Sequence, residues 1–302
     1  MKRVINFMGV RKLAIALTLV MTVAALASIA TKGLNWGLDF TGGTLIELNY
    51  EQGANLNKIR DQLQNGGYPD AVVQSFGAIN DVLVRMPGDD PELGNKVADV
   101  LRQDAVSQVT VKRVEFVGPA VGEELRDQGG LGMLLALAGV MVYLGFRFQW
   151  KFGLGAIVSL FHDVVVTLGV FAYFQLTFDL TVLAAILAII GYSLNDTIVL
   201  YDRIRENFRF LRNTSLIDNI NISTTQTLMR TLATSISTLL AVGSLLLFGG
   251  DNLWGFALAL FIGIIVGTYS SIYMSSIMLI WQKLTVEDLI PPVSTEEIDE
   301  MP

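Results

Sequence analysis

Six long apolar runs constrain the fold of this chain more than any other feature of its sequence. Each has the roughly 20 mostly apolar residues that an α-helix needs to cross a bilayer. The chain is 52% apolar and only 16% charged, which excludes a simple soluble domain. We therefore predict an α-helical membrane protein with six transmembrane helices, at residues 13–31, 129–146, 152–178, 180–201, 231–250 and 253–281.

The first apolar run follows a basic start, as the core of a signal peptide would. It is uncharged throughout residues 13–31, whereas the apolar core of a signal peptide typically has about 7–15 residues. We therefore expect a retained helix, preceded by a short N-terminal segment at residues 1–12.

Basic residues in the short loops predict the orientation of the chain, because such loops stay in the cytoplasm. Arg147 and Lys151 lie between the second and third runs, and the loop after the fourth run contains Arg203, Arg205, Arg209 and Arg212. Both termini, including the tail at 282–302, are therefore expected in the cytoplasm, and residues 32–128 outside it. The cytoplasmic loop at 202–230 has an irregular mixture of apolar and polar residues, which fits an amphipathic surface helix or an ordinary solvated connector.

Residues 32–128 are long enough for one small domain. Hydrophobic periodicity predicts the element order βαββαβ, which is typical of an α+β ferredoxin-like fold. The chain has no cysteine, and its one histidine, His162, excludes the usual multi-histidine zinc sites. No phosphate-loop signature is present, and we expect neither a cofactor nor nucleic-acid binding. The domain is interpreted as a contact surface for a partner or a moving chain, or as a spacer.

Glycine-rich segments flank this domain at both of its junctions with the membrane. Gly42 and Gly43 follow the first apolar run, and Gly118 and Pro119 precede the second. Glycine and proline mark turns, and their placement at both junctions predicts a hinge.

An acidic residue inside an apolar run indicates an ion or proton pathway, because a carboxylate is costly within a bilayer. Asp196 lies near the end of the fourth run, and Arg230 lies at the start of the fifth. A guanidinium close to Asp196 would favour the ionised carboxylate, and its withdrawal would favour the protonated form. The alternatives are an Asp196 that reaches the headgroups and an Arg230 that flanks the membrane on the cytoplasmic side.

Three further polar residues in the spans are weaker candidates for the ion pathway. His162 and Asp163 lie about halfway along the third run, where they fit either an ion site or a buried pair that aligns helices. Asn195 could help to ligate Na⁺ or could form a hydrogen bond between helices.

Six motifs carry a resemblance that extends from residue 1 to about residue 285. They are WGLDFTGG at 36–43, GPAVGEEL at 118–125, FHD at 161–163, IGYSLNDTIV at 190–199, DRIREN at 202–207 and TLMRTLATS at 227–235. In these motifs and in its layout of six spans, the chain resembles the SecF family of bacterial protein-export membrane proteins, part of the resistance–nodulation–division superfamily.

The resemblance implies a function that the spacing of residues does not reveal. SecF-like proteins pair with SecD in the inner membrane and are associated with the SecYEG channel and YajC. They are thought to use the proton or sodium motive force to draw preproteins out of the channel. Within the family motifs, Asp196 and Arg230 belong to the ion pathway, whereas the assignment of Asp163 is weaker. A non-conducting scaffold subunit and a small-molecule exporter remain as alternatives, and none of the three is an enzyme.

Overall fold

The computed structural model describes residues 4–285 and residue 288, apart from residues 52, 77, 89, 91, 104–108 and 212–213. Within this part of the chain, six helical stretches are long and apolar enough to span a membrane. This finding confirms the prediction of an α-helical, multi-pass membrane protein with six spans. The helices that form these stretches are α1 (Arg11–Lys32), α5 (Pro119–Arg147), α6 (Trp150–Phe174), α7 (Leu180–Phe210), α8 (Leu216–Phe248), α9 (Asp251–Ile272) and α10 (Met274–Trp281).

Several helix ends differ from those predicted at residues 129–146, 152–178 and 253–281. Helix α5 begins ten residues earlier, at Pro119, because proline is well suited to a first helical position, where no intrahelical N–H bond is needed. Helix α6 ends at Phe174, since Gln175 has φ of 54° and Leu176 N donates back to the carbonyl of Phe171. The last run is divided into α9 and α10 at Tyr273.

Most described residues of 202–230 belong to two long helices, and their position on a membrane surface stays a prediction. Residues 202–210 continue α7, and residues 216–230 form the first half of α8, whose N-terminus is capped by Ser215. The polar side chains of these two stretches bond one another: Asn207 Nδ2 donates to Ser223 Oγ at 2.8 Å and to Gln226 Oε1 at 2.9 Å. These hydrogen bonds account for polar residues where the two stretches face each other.

The chain divides into two compact units. The helical unit comprises residues 1–34, 135–176 and 184–302, and the α+β unit comprises residues 35–134 and 177–183. Of the six spans, α6 and α7 are the most buried. In their most apolar stretches, 61% and 56% of the residues are buried inside the protein. These two inner helices carry Asp163 and Asp196, respectively.

The α+β unit confirms the predicted ferredoxin-like order of elements. Its four-stranded antiparallel sheet has the strand order β3-β4-β2-β5, and α3 and α4 pack against it. Alternate residues of β2 and β4, such as Ile46, Leu48, Val82 and Val84, are fully buried in its core. The bounds are β2 (Gly43–Tyr50), α3 (Leu56–Asn65), β3 (Val72–Phe76), β4 (Ala78–Met86), α4 (Leu93–Gln103) and β5 (Val109–Val117). Three shorter elements complete the unit: β1 (Asn35–Trp36), α2 (Leu38–Thr41) and β6 (Thr177–Phe178).

A charged network lies on the sheet, centred on Asp81. Asn49 Nδ2 donates to Asp81 Oδ1 at 2.6 Å, and Lys112 Nζ lies 2.9 Å from the same oxygen. The amide of Asn49 and the ammonium group of Lys112 hold the pKa of Asp81 below its ordinary value. Both interactions favour the ionised carboxylate, which therefore stabilises the folded unit at neutral pH.

We expect Asp81→Asn to make the stability of the α+β unit less sensitive to acid. Because the pKa of Asp81 is lower in the folded state, its contribution is complete above the ordinary aspartate value of 3.8 and is lost as the pH falls through the folded value. Hydrogen exchange of β2 and β4 amides, compared at neutral and acid pH, measures this loss. An unchanged acid sensitivity in Asp81→Asn would contradict the assignment, and Asp61→Asn, at an exposed position of α3, is the control.

Candidate functional site

Asp163 lies at the centre of a fully buried hydrogen-bond cluster in the helical unit. Its side chain is 0% exposed. Ser193 Oγ of α7 and Ser270 Oγ of α9 donate to Asp163 Oδ2 at 2.5 and 2.7 Å, and Nδ1 of the neighbouring His162 lies 3.1 Å from Oδ1. Both carboxylate oxygens thus have partners, so the cluster satisfies a buried charge and joins three helices.

Asp196 has a different environment, although its side chain is also buried, at 4% exposure. Its Oδ2 atom has no hydrogen-bond partner within the described part of the chain. The carboxylate faces a small recess between α7, α8 and α9. The recess is lined by Asp196, Leu200, Thr224, Thr227, Leu228, Thr231, Ser271 and Ile272.

The lining of this recess suits the exchange of a small cation. Hydroxyl-bearing residues of two helices line the recess with Asp196, and Thr224 Oγ1 is buried without a hydrogen-bond partner among the residues described. A buried carboxylate with an unsatisfied oxygen is energetically costly unless it is protonated or bound to a cation. Carboxylate and hydroxyl oxygens are also suitable ligands for hard cations. The chemistry of this lining is compatible with a proton, or Na⁺, at Asp196.

Arg230 lies close to this recess but does not bond Asp196 Oδ2 in the described structure. It lies in α8 between the lining residues Leu228 and Thr231, and its side chain is exposed. Asp196 Oδ2 receives no hydrogen bond from Arg230 or from any other residue that the structure describes. The switch between Arg230 and Asp196 stays a prediction.

Asn195, the weakest of the predicted ion-pathway residues, does not line the recess. Its side chain is exposed on α7, while those of Asp196 and Ser193 on the same helix are buried. The structure therefore places Asp196 close to the part of α8 that carries Arg230. It places Asn195 on a different side of α7.

Serines of α7 and α9 lie beside both acidic sites. Ser193 bonds Asp163 and lies one helical turn before Asp196. Ser270 bonds Asp163, and the next residue, Ser271, lines the recess of Asp196. A shared helix face, at spacing i and i+3, could have suggested Ser193, whereas the role of α9 depends on tertiary packing.

The predicted hinge residues contact one another in the α+β unit. Gly42 has φ of 66°, and a Cβ atom there would lie 2.7 Å from Cα of Pro119. Gly43 has φ of 112°, and a Cβ atom there would lie 2.4 Å from the carbonyl oxygen of Met86. Gly118 joins the end of β5 to the start of α5, next to this contact. Only glycine permits such close packing at these two positions, and close packing fits a rigid junction as well as a hinge. The hinge therefore stays a prediction.

Comparison with known proteins relates this arrangement to protein export. The family described as "Protein export membrane protein SecD/SecF, C-terminal" matches residues 96–285, and the "SecD/SecF GG Motif" matches residues 27–54. The chain is 66% identical to the protein translocase subunit SecF of Pseudomonas aeruginosa over 99% of its length and 98% of that protein. It is 47% identical to SecF of Vibrio alginolyticus over 100% of its length and 98% of that protein.

Solved structures give the same relationship. The crystal structure of SecDF from Thermus thermophilus, described as a translocon-associated membrane protein, matches with a TM-score of 0.86 and 39% identity over 93% of this chain. A second SecDF structure, in a super-membrane-facing form, matches with a TM-score of 0.69 and 39% identity over 94% of the chain. The chain spans only 39% of the length of either SecDF chain. On these matches, and on the six spans and motifs described above, the chain belongs to the SecF family of protein translocase subunits.

Proposed function

We propose that this protein translocase subunit uses an ion gradient to assist the late stage of preprotein export. In this proposal it works with SecD beside the SecYEG channel of the bacterial inner membrane. Both termini lie in the cytoplasm, and the α+β unit lies on the exported side. The observation that carries the proposal is the buried carboxylate of Asp196, whose Oδ2 has no hydrogen-bond partner among the described residues and which lines a recess together with hydroxyl-bearing residues.

The position of Arg230 supports a loading and unloading cycle. When the guanidinium approaches Asp196, it favours the ionised carboxylate and releases the cation. When it withdraws, the buried carboxylate regains its preference for a bound cation, since burial disfavours an unpaired charge. One elementary charge that crosses about 100 mV yields roughly 2.3 kcal/mol, so export of a long chain requires many cycles.

Arrested export in membrane vesicles tests this proposal. A preprotein is stalled partway through the channel, ATP is then removed, and an ion gradient is imposed across vesicles that contain the whole complex. We expect the gradient to drive completion of export, and an ionophore to stop it. If completion of export requires the subunit but is unaffected by the ionophore, the result would favour a non-conducting scaffold instead.

The same vesicles identify the coupling ion. Replacing Na⁺ by K⁺ at constant pH abolishes the stimulation if Na⁺ is the coupling ion and leaves it intact if the ion is a proton. Vesicles that lack this subunit provide the baseline for both measurements.

A further inference from the structure

Residues 35–43, called here the docking segment, are bound to the start of α7. Asn35 and Trp36 of β1 pair in parallel with Thr177 and Phe178 of β6. The backbone N–H of Gly37 then donates to the carbonyl of Phe178 at 2.7 Å. The segment is therefore held by backbone hydrogen bonds to the residues that lead directly into α7.

Asp39 of the docking segment caps α7. Its Oδ2 atom accepts from the backbone N–H of Leu180 at 2.9 Å, while Asp179 Oδ1 accepts from Val182 N at 2.9 Å. Two carboxylates thus bond N–H groups in the first turn of α7, where a negative charge is favoured by the helix dipole. One of them comes from a residue 141 positions away in the sequence, so it ties two separate segments together.

Aromatic side chains reinforce this attachment. The ring of Trp36 lies 5.5 Å from those of both Phe40 and Phe178, in edge-to-face geometry, and Phe40 stacks on Phe178 at 5.9 Å. Phe40 and Phe178 are each 5% exposed. Such aromatic contacts resist shear between the docking segment and β6.

The other end of the docking segment is fixed to the sheet of the α+β unit. Gly43 is the first residue of β2, and Gly42 packs against Pro119. Arg85 of β4 donates through Nη1 to the carbonyl of Trp36 at 2.7 Å. The segment consequently bridges the sheet and the first turn of α7 without a free linker.

We propose that Asp39 is a positioning residue that couples α7 to the α+β unit. Helix α7 continues without interruption from Leu180 to Asp196, a rise of about 24 Å. A displacement of α7 that accompanies cation exchange at Asp196 would be carried through the Asp39 cap and the β1–β6 pair to strand β2. This inference rests on the proposed function, and it replaces the predicted hinge by a rigid transmission.

Asp39→Ala in the complete complex tests the coupling. Two readouts are compared in vesicles: gradient-driven ion flux and gradient-driven completion of export. We expect Asp39→Ala to reduce export several-fold more than flux, whereas Asp39→Asn, which retains an acceptor oxygen for Leu180 N, keeps most of both. Asp61→Ala, at an exposed position of α3, is the matched control. Equal changes in flux and export, or no change in either, would overturn the coupling.

A disulfide lock gives an independent test, because the chain has no native cysteine. Asn35→Cys with Thr177→Cys places a pair at facing positions of β1 and β6. If β1 and β6 stay paired throughout the cycle, the oxidised variant should support export as well as the reduced variant does. If the two strands must separate during the cycle, oxidation should stop export. Asp196→Asn separates failure of the proposed function from failure of the coupling alone. If Asp196→Asn alters neither ion flux nor export, the proposed function fails, and the coupling fails with it.

Discussion

Replacing Asp196 by asparagine is expected to abolish the gradient-driven part of preprotein export while leaving the complex folded and assembled. An amide at this position fits the same space but does not take up a proton at neutral pH, and it is a weaker ligand for Na⁺ than a carboxylate. Since Asp196 Oδ2 has no hydrogen-bond partner to lose among the described residues, the substitution removes a buried ionisable group at little structural cost. Export in the variant should fall to the level of wild-type vesicles treated with an ionophore.

Matched variants separate loss of chemistry from loss of structure. Asp196→Glu keeps a titratable carboxylate and should restore part of the gradient-driven export. Asp127→Asn changes a carboxylate that is exposed on α5 and should have no effect. Gradient-driven export that persists at the wild-type rate in Asp196→Asn would remove the ion-exchange role and leave a passive subunit.

The spans and the α+β unit could be predicted because local sequence determines them. A run of apolar residues is long enough to span a bilayer wherever it packs, and the alternation in β2 and β5 reflects burial on one face of a sheet. Asp179 could be predicted to end a span, but its role as a cap of α7 beside Asp39 depends on two distant segments.

The ends of α7 and α8 could not be predicted for a related reason. Residues such as Arg203, Asn207 and Gln226 appear too polar for a membrane span, and their periodicity is obscured because they bond across neighbouring helices. The same limit applies to the acidic sites. Sequence identifies Asp163 and Asp196 as unusual residues within apolar runs, but only the fold distinguishes a carboxylate with three partners from one with a free oxygen.

That distinction predicts that Asp163→Ala destabilises the helical unit. The substitution removes the shared acceptor of Ser193, Ser270 and His162, and a buried donor left unpaired costs about 1–3 kcal/mol. Ser270 also bonds the carbonyl of Gly267 at 3.1 Å, so part of the loss is offset. We expect a total loss of about 2–4 kcal/mol, measured by denaturant unfolding of the purified complex in detergent.

The conservative variant Asp163→Asn keeps an acceptor oxygen for the serine hydroxyls and is expected to lose about 1 kcal/mol, with gradient-driven export retained once the amount of complex is equalised. Asp202→Asn serves as the stability control, because its partly exposed ion pair with Arg147 contributes little. If Asp163→Asn is stable but stops gradient-driven export, Asp163 belongs to the ion pathway with Asp196. If it unfolds less readily than Asp163→Ala and still exports, the cluster aligns α6, α7 and α9 around the recess where the cation is exchanged.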